Sequence, residues 1–207
     1  MSKSNKYGYS GVDIPTQAFR ANVGKFDPSE INELVQEDKW TTFGQLELIQ
    51  TQTISSGSTL AFTYINQNIY NVHFATLNNI ESSSSSTAVN IRFSNDGGSS
   101  YEAGTNYQRA AQYGGSVGNG ESKSTGTSAI SILPDSANQN KGGYCYFYNL
   151  GDSTKYSFVT FHGIEQSYYR FGSGVYDTAD TIDAIQFLTT NSNAWTGTIS
   201  LYGIRFA

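Results

Sequence analysis

The residues best suited to nucleophilic chemistry are one cysteine and two histidines. Cys145 falls in one predicted strand and His162 directly follows the next one, and a thiol beside an imidazole can act as an activated nucleophile. No sharp nucleophile turn flanks Cys145, and no third group that would orient the histidine is evident. We therefore expect Cys145 to be a small buried residue of a strand, and we expect no enzymatic activity. A structural zinc site needs three or four ligands such as Cys and His, and the chain contains only one Cys and two His.

His73 is the other histidine, and its strand pattern predicts a surface or interface position. Tyr70, Val72 and Phe74 occupy alternate positions in the same segment. Alternate residues of a strand share one face, so these apolar side chains would face the core. The histidine would then face outward.

Three aspartates recur at every third position, as Asp177, Asp180 and Asp183. Carboxylates in a loop are the hard oxygen ligands that calcium takes, and a pair of acids could also serve a glycosidase. Aspartate is also common in turns, because its short side chain hydrogen-bonds to nearby backbone. We expect a turn at 177–183, with calcium as the alternative, and predict no metal or other cofactor.

Aromatic residues make up 14% of the chain, with 15 Tyr, 12 Phe and 2 Trp. Tyrosine and tryptophan combine an apolar ring with a polar handle, so they suit both protein interfaces and sugar binding. We expect most of them at core and interface positions. A lectin-like platform is the alternative, and its candidate glycan-contact residues are Tyr168, Tyr169, Tyr176 and Trp195.

Composition excludes several classes of function. The net charge is −5, so binding to nucleic acid through released counterions is not expected. No run of 18 apolar residues occurs, which predicts no membrane insertion. The polar N-terminus lacks the apolar core of a signal peptide. We expect a protein that is made in a cytoplasm and that, if it leaves the cell, leaves by a non-secretory route, of which lysis after assembly into a particle is one.

The elements that position these residues fall into two parts. Residues 1–40 are predicted to form an extended docking arm, because the stretch 7–15 is broken by glycines and ends at a proline. A short helix is predicted to start at Asp27, with Pro28 in its first turn and Glu30 completing the cap. It is too short to be stable alone and must dock. The candidate partner-docking residues are Tyr7, Tyr9, Ile14, Phe19, Phe26, Ile31 and Leu34.

Residues 41–207 show a period of two and are rich in Tyr, Phe, Ile, Val and Thr, which predicts strands. The predicted strands are 41–54, 59–65, 69–77, 88–93, 128–133, 144–150, 156–161, 182–189 and 197–206. Short strands at this spacing favour an all-β, jelly-roll-like β-sandwich. The last strand has apolar residues on both faces, which predicts a central or partner-covered position.

The segment 101–123 is ambiguous. Residues 106–112 fit either a short helix or a strand that ends at Gly114 and Gly115. The following residues, 116–124, read as a glycine- and serine-rich loop, a kind of segment that is usually mobile or functional.

The β-rich part of the chain resembles virion structural and fibre-associated proteins of tailed phages, in particular podophage-like phages of marine bacteria. Three stretches carry this resemblance: 71–74 (NVHF), 146–158 (YFYNLGDSTKYSF) and 195–205 (WTGTISLYGIR). The glycine-rich arm at 7–13 (YGYSGVD) is also similar to arms of such proteins. The resemblance implies a β-sandwich in a particle and brings no catalytic residues.

These observations together predict a non-enzymatic structural component of a phage virion, a tail or fibre adaptor or a decoration subunit that docks through its arm. The alternative is a glycan- or receptor-binding module of a phage fibre. The expected partners are other virion proteins and further copies of the chain, with a trimer favoured because closed symmetry is the rule for homo-oligomers. A host surface glycan is the partner in the alternative.

Overall fold

In this computed structural model, the described part of the chain comprises residues 28–36, 46–82, 84, 87–116, 118–133 and 139–204. The chain divides into two units after Phe43. The first unit holds helix α1 (Pro28–Gln36), whose first residue is a proline that loses no helical hydrogen bond there. The predicted helix is therefore confirmed, while its cap Asp27 and the arm 1–26 lie outside the described residues. Within these ranges no helix is long and apolar enough to cross a membrane.

The second unit, as far as it is described, consists almost entirely of antiparallel strands. A single 3-10 turn, Thr190–Ser192, precedes the last of them. Their bounds are β1 Leu46–Gly57, β2 Thr59–Phe62, β3 Val72–Ser82, β4 Val89–Ser94, β5 Tyr107–Gly115, β6 Gly118–Thr127, β7 Ile130–Ser131, β8 Lys141–Tyr148, β9 Ser157–Glu165, β10 Tyr168–Tyr176, β11 Ala184–Thr189 and β12 Trp195–Ile204. Each of the nine predicted strands overlaps one of these, so the all-β prediction is confirmed.

Strands β5, β6 and β10 were not among the predicted strands. The strand reading of 106–115 is correct, but 118–127 is a strand of the same hairpin and not a loop. Strand β10 was missed because its pattern is broken by Gly172 and Gly174. Both glycines allow a close approach: a Cβ on Gly172 would lie 2.3 Å from the carbonyl oxygen of Ala110, and one on Gly174 would lie 2.8 Å from Ile130.

Two sheets build the second unit. The large sheet has the order β1-β12-β3-β8-β9-β10-β5-β6, and the small sheet has the order β2-β11-β4-β7. Without the hairpins β5–β6 and β9–β10, these orders reduce to β1-β12-β3-β8 and β2-β11-β4-β7. This path is compatible with the jelly roll expected from the sequence, which stays a prediction. The hairpins extend one edge of the large sheet.

The core lies between the sheets. Strand β4 of the small sheet and the inner face of the large sheet contribute Phe93 and Phe147, which meet edge to face with ring centroids 6.1 Å apart. Phe187 of β11 contacts Phe62 and Phe147 in the same manner. All four rings are fully buried. These four rings hold the small sheet against one face of the large sheet. No second sheet of the described residues covers the opposite face of the large sheet, which is here called the outer face.

Strand β12 is a core strand, as predicted. It pairs with β1 on one side and β3 on the other, and Trp195, Ile199 and Leu201 are buried. The Thr196-Gly197 step is part of this strand and forms no turn. Gly197 has φ of +149° and lies at a register shift within the strand, where a Cβ would lie 2.4 Å from Ile80. Residues 205–207 lie outside the described ranges.

Tyr107 anchors the added hairpin to the core. Its buried hydroxyl accepts a hydrogen bond from the Phe93 backbone N–H at 2.9 Å and donates one to the Glu102 carbonyl at 3.2 Å. Its ring also lies 5.1 Å from that of Tyr176 at the end of β10. Strands β5 and β10 are therefore held firmly to the sandwich, although they lie toward the edge of the large sheet.

Candidate functional site

Cys145 and His162 lie on opposite faces of the large sheet and cannot act together. Cys145 pairs with Phe161 and faces the core, whereas the neighbouring pair, Tyr144 and His162, faces outward. Burial raises the pKa of the Cys145 thiol well above its usual range, which suppresses the reactive thiolate. The predicted role of Cys145 as a small buried residue is confirmed.

The prediction for His73 is wrong. His73 is fully buried, and its Nε2 hydrogen-bonds to the Ile65 carbonyl oxygen at 2.7 Å. Val72 and Phe74, which had been expected to face the core, are only partly buried and lie on the outer face. The strand therefore has the opposite orientation from the one that its hydrophobic pattern predicts, because the outer face is itself largely apolar.

The three aspartates of the 177–183 segment bind different partners. Asp177 accepts a hydrogen bond from Gln108, Asp180 from Asn95, and Asp183 from the backbone N–H of Gly97. The carboxylates thus tie this segment to strand β5 and to the loop that follows β4, as turn-forming aspartates do. Among the described residues no three His, Cys, Asp or Glu side chains are grouped so that they could hold a metal ion.

The four predicted glycan-contact residues do not share a surface. Trp195 and Tyr176 are buried in the core, with 1% and 2% of their surface exposed. Tyr168 stacks on Tyr113 with ring centroids 5.6 Å apart, on the inner side of β10. Of the four, only Tyr169 lies on the outer face, where its ring stacks on that of Phe171.

Five of the seven predicted docking residues lie outside the described residues: Tyr7, Tyr9, Ile14, Phe19 and Phe26. The side chain of Leu34 lies outside them as well. Ile31 lies in helix α1 and is partly buried.

The outer face carries a layer of aromatic side chains on its central strands. Phe74 of β3 lies between Tyr146 of β8 and Tyr202 of β12, with ring centroids 4.7 and 6.1 Å away. Tyr144 completes this set, 6.0 Å from Phe74. We call these four residues the aromatic layer. On the neighbouring edge strand β1, Leu46 and Leu48 extend it and are 51% and 59% exposed.

A groove crosses the strands beside the aromatic layer. Its floor follows one row of paired residues with small side chains: Thr160 of β9, Ser173 of β10 and Ala110 of β5. Tyr146 pairs with Thr160 and closes one end, and Lys123 of β6 pairs with Ala110 at the other. With strands about 4.8 Å apart, the floor from Thr160 to Lys123 spans roughly 14 Å.

Larger side chains form the two walls of this cross-strand groove. One wall is the adjacent row of His162, Phe171 and Gln112, and the other is the row of Phe158, Val175 and Gln108. Phe158 and Phe171 are 42% and 45% exposed. Two concavities of about 850 and 860 Å³ share Tyr148, Thr160 and Ser173 among their lining residues, so they form one continuous groove.

Sequence reasoning missed the groove because two of its five strands, β6 and β10, were not predicted and a third, β5, was left open between a helix and a strand. The signal that could have found them is the alternation of Tyr169, Phe171, Ser173 and Val175 in β10, which places four residues on one face. The pairing that turns Thr160, Ser173 and Ala110 into a single row depends on strand register, which the sequence does not display.

No protein-family model matches this chain, and neither does any curated protein.

Proposed function

We propose that this protein is a non-enzymatic structural subunit of a phage virion, a tail or fibre adaptor or a decoration protein that assembles with other virion proteins and with copies of itself. The supporting observation is the outer face, where the described part of the chain places no second sheet over the aromatic layer and its exposed neighbours Leu46 and Leu48. Soluble monomers rarely expose a contiguous apolar surface of this kind. The resemblance of three stretches to phage structural proteins agrees with this role.

The aromatic layer suits an interface between copies of the chain. Interface cores are enriched in tyrosine and phenylalanine and depleted in charge, and the layer with its leucine border contains no charged side chain. Tyrosine hydroxyls at its surface can satisfy hydrogen bonds across a subunit boundary. Closed symmetry would cover the face in every copy, and a trimer is the favoured assembly.

The oligomer is tested by placing charges on this surface. We expect the double variant Leu46→Asp, Leu48→Asp to dissociate the purified protein into monomers, because two carboxylates would be desolvated without partners at the interface. Sedimentation velocity at micromolar concentration measures the change, and circular dichroism checks that the sandwich remains folded.

Ile69→Asp is the matched control. Ile69 is an aliphatic residue that is 43% exposed in the loop before β3, and its replacement should leave the oligomer intact. A wild-type protein that is monomeric under all conditions, including when concentrated, would contradict the proposed interface. So would equal dissociation by both variants.

The docking role of the arm has a separate test. A variant lacking residues 1–40 retains all the described strands, β1 to β12, so we expect it to fold but to be lost from phage particles. Mass spectrometry of particles from a complemented deletion phage measures incorporation. Normal incorporation of the shortened chain would rule out docking through the arm.

A further inference from the structure

We propose that the cross-strand groove is a carbohydrate-binding site that takes a linear, neutral glycan laid across strands β8, β9, β10, β5 and β6. This inference rests on the groove alone and does not depend on the virion assignment. The groove lies beside the aromatic layer, so a subunit interface on the layer would leave most of the groove open.

The floor of the groove offers hydroxyl groups that are free to bind a ligand. Thr160 and Ser173 are exposed. Within the described residues Ser173 makes no hydrogen bond through its side chain, and Thr160 makes only a long one of 3.4 Å to Tyr148. A hydroxyl can both donate and accept a hydrogen bond, which matches the hydroxyl groups of a sugar. The small size of Ala110 lets the ligand continue past them.

The walls supply the apolar contacts that a sugar ring needs. Phe171 and Phe158 stand on opposite sides of the floor, and Tyr148 lies beside Phe158 in the next strand. The negative faces of aromatic rings attract the weakly positive C–H groups on a sugar ring. The apolar walls and hydroxyl floor together match a ligand that has both kinds of surface, which is the usual composition of a small-molecule site.

The placement of the groove favours a glycan over a peptide. A bound peptide strand gains its affinity by hydrogen bonding to a free sheet edge, but the backbone groups beneath this groove are already paired with neighbouring strands. A glycan needs only side-chain contacts. Two basic residues, Lys123 and Arg109, line the groove at its β5–β6 end, where Arg109 already donates a hydrogen bond to Ser122. The rest of the lining holds no Asp, Glu, Lys or Arg, so the complementary ligand is neutral along most of its length.

The groove also differs from a subunit contact. A second copy of the chain could contact the groove with a flat sheet face or with its loops. A flat face would rest on the two walls and leave the floor of small residues without contacts. A chain-like ligand of one sugar in width can reach Ser173 between Phe171 and Phe158.

A glycan array with neutral and carboxylated linear oligosaccharides tests the proposal on the purified full chain. We expect binding to one or more neutral oligosaccharides, followed up by calorimetry. Phe171→Ala, which removes one wall, should weaken binding about tenfold or more. Ser173→Leu, which fills the floor, should abolish it.

Ile164→Ala is the matched control. Ile164 lies on the outer face of β9, is 52% exposed and does not line the groove, so its loss should leave affinity unchanged. The proposal is overturned by an array without binding, by binding only to carboxylated chains, or by binding that both groove variants leave intact. Loss of the oligomer in Ser173→Leu would overturn it as well, because the groove would then belong to a subunit interface. Loss of the oligomer through Leu46→Asp, Leu48→Asp with glycan binding retained would leave this proposal standing.

Discussion

Replacing Leu201 by aspartate is expected to unfold the sandwich. Leu201 is fully buried in β12 and belongs to the core between the two sheets. The substitution removes an apolar side chain that is worth several kcal/mol in a packed core and places a carboxylate where no partner can solvate it. We expect a loss of more than about 4 kcal/mol in the free energy of unfolding, a large share of the stability of an ordinary domain. Urea unfolding followed by fluorescence measures it.

Thr196→Asp is the control on the same strand. Thr196 is exposed, so its replacement should change the free energy of unfolding by no more than about 0.5 kcal/mol. A folded, cooperative Leu201→Asp protein would show that β12 does not close the core. Truncation after Asn193, which deletes the strand, should then also be tolerated, whereas we expect the truncated chain to be insoluble.

Stability is expected to fall as the pH is lowered from 6.5 to 4, because of His73. Burial lowers the pKa of His73 from 6.5 to about 4, and its hydrogen bond to Ile65 offsets only part of this effect. The unfolded chain takes up a proton at His73 below pH 6.5, whereas the folded protein does not until the pH nears 4. Protonation therefore favours the unfolded state, and the difference in pKa amounts to about 3 kcal/mol lost across this window.

His73→Gln removes the titrating group and keeps a donor for the Ile65 carbonyl. We expect this variant to be less stable at neutral pH but to lose little more between pH 6.5 and pH 4. Urea unfolding midpoints measured across this pH range give the dependence of stability on pH for the wild type and for the variant. Asp96 and Asp152 affect stability only at lower pH, since hydrogen bonds from Ser100 and Thr154 lower their pKa values from 3.8 to about 2.

If the stability of the wild type and that of the variant fell equally between pH 6.5 and pH 4, the assignment to His73 would be wrong.

Several features of this protein follow from local sequence. The helix at Pro28–Gln36 begins at a proline after a capping residue type, a signal that depends only on neighbours along the chain. Segments rich in Tyr, Val, Ile and Thr predicted nine of the strands. The apolar residues on both faces of 197–206 indicated a central strand, and β12 is paired on both sides. Each of these patterns is read within a single segment.

The tertiary structure decided which face of each strand is inside and which residues meet. His73 is buried and Phe74 is not, because the large sheet has apolar residues on both faces and only the small sheet determines which one is covered. Trp195 and Tyr176 are buried in the core for the same reason. The groove exists only because register places Thr160, Ser173 and Ala110 in one row. A shift of one residue in any of these pairings would turn the row to the other face, and that choice is made by packing between distant strands.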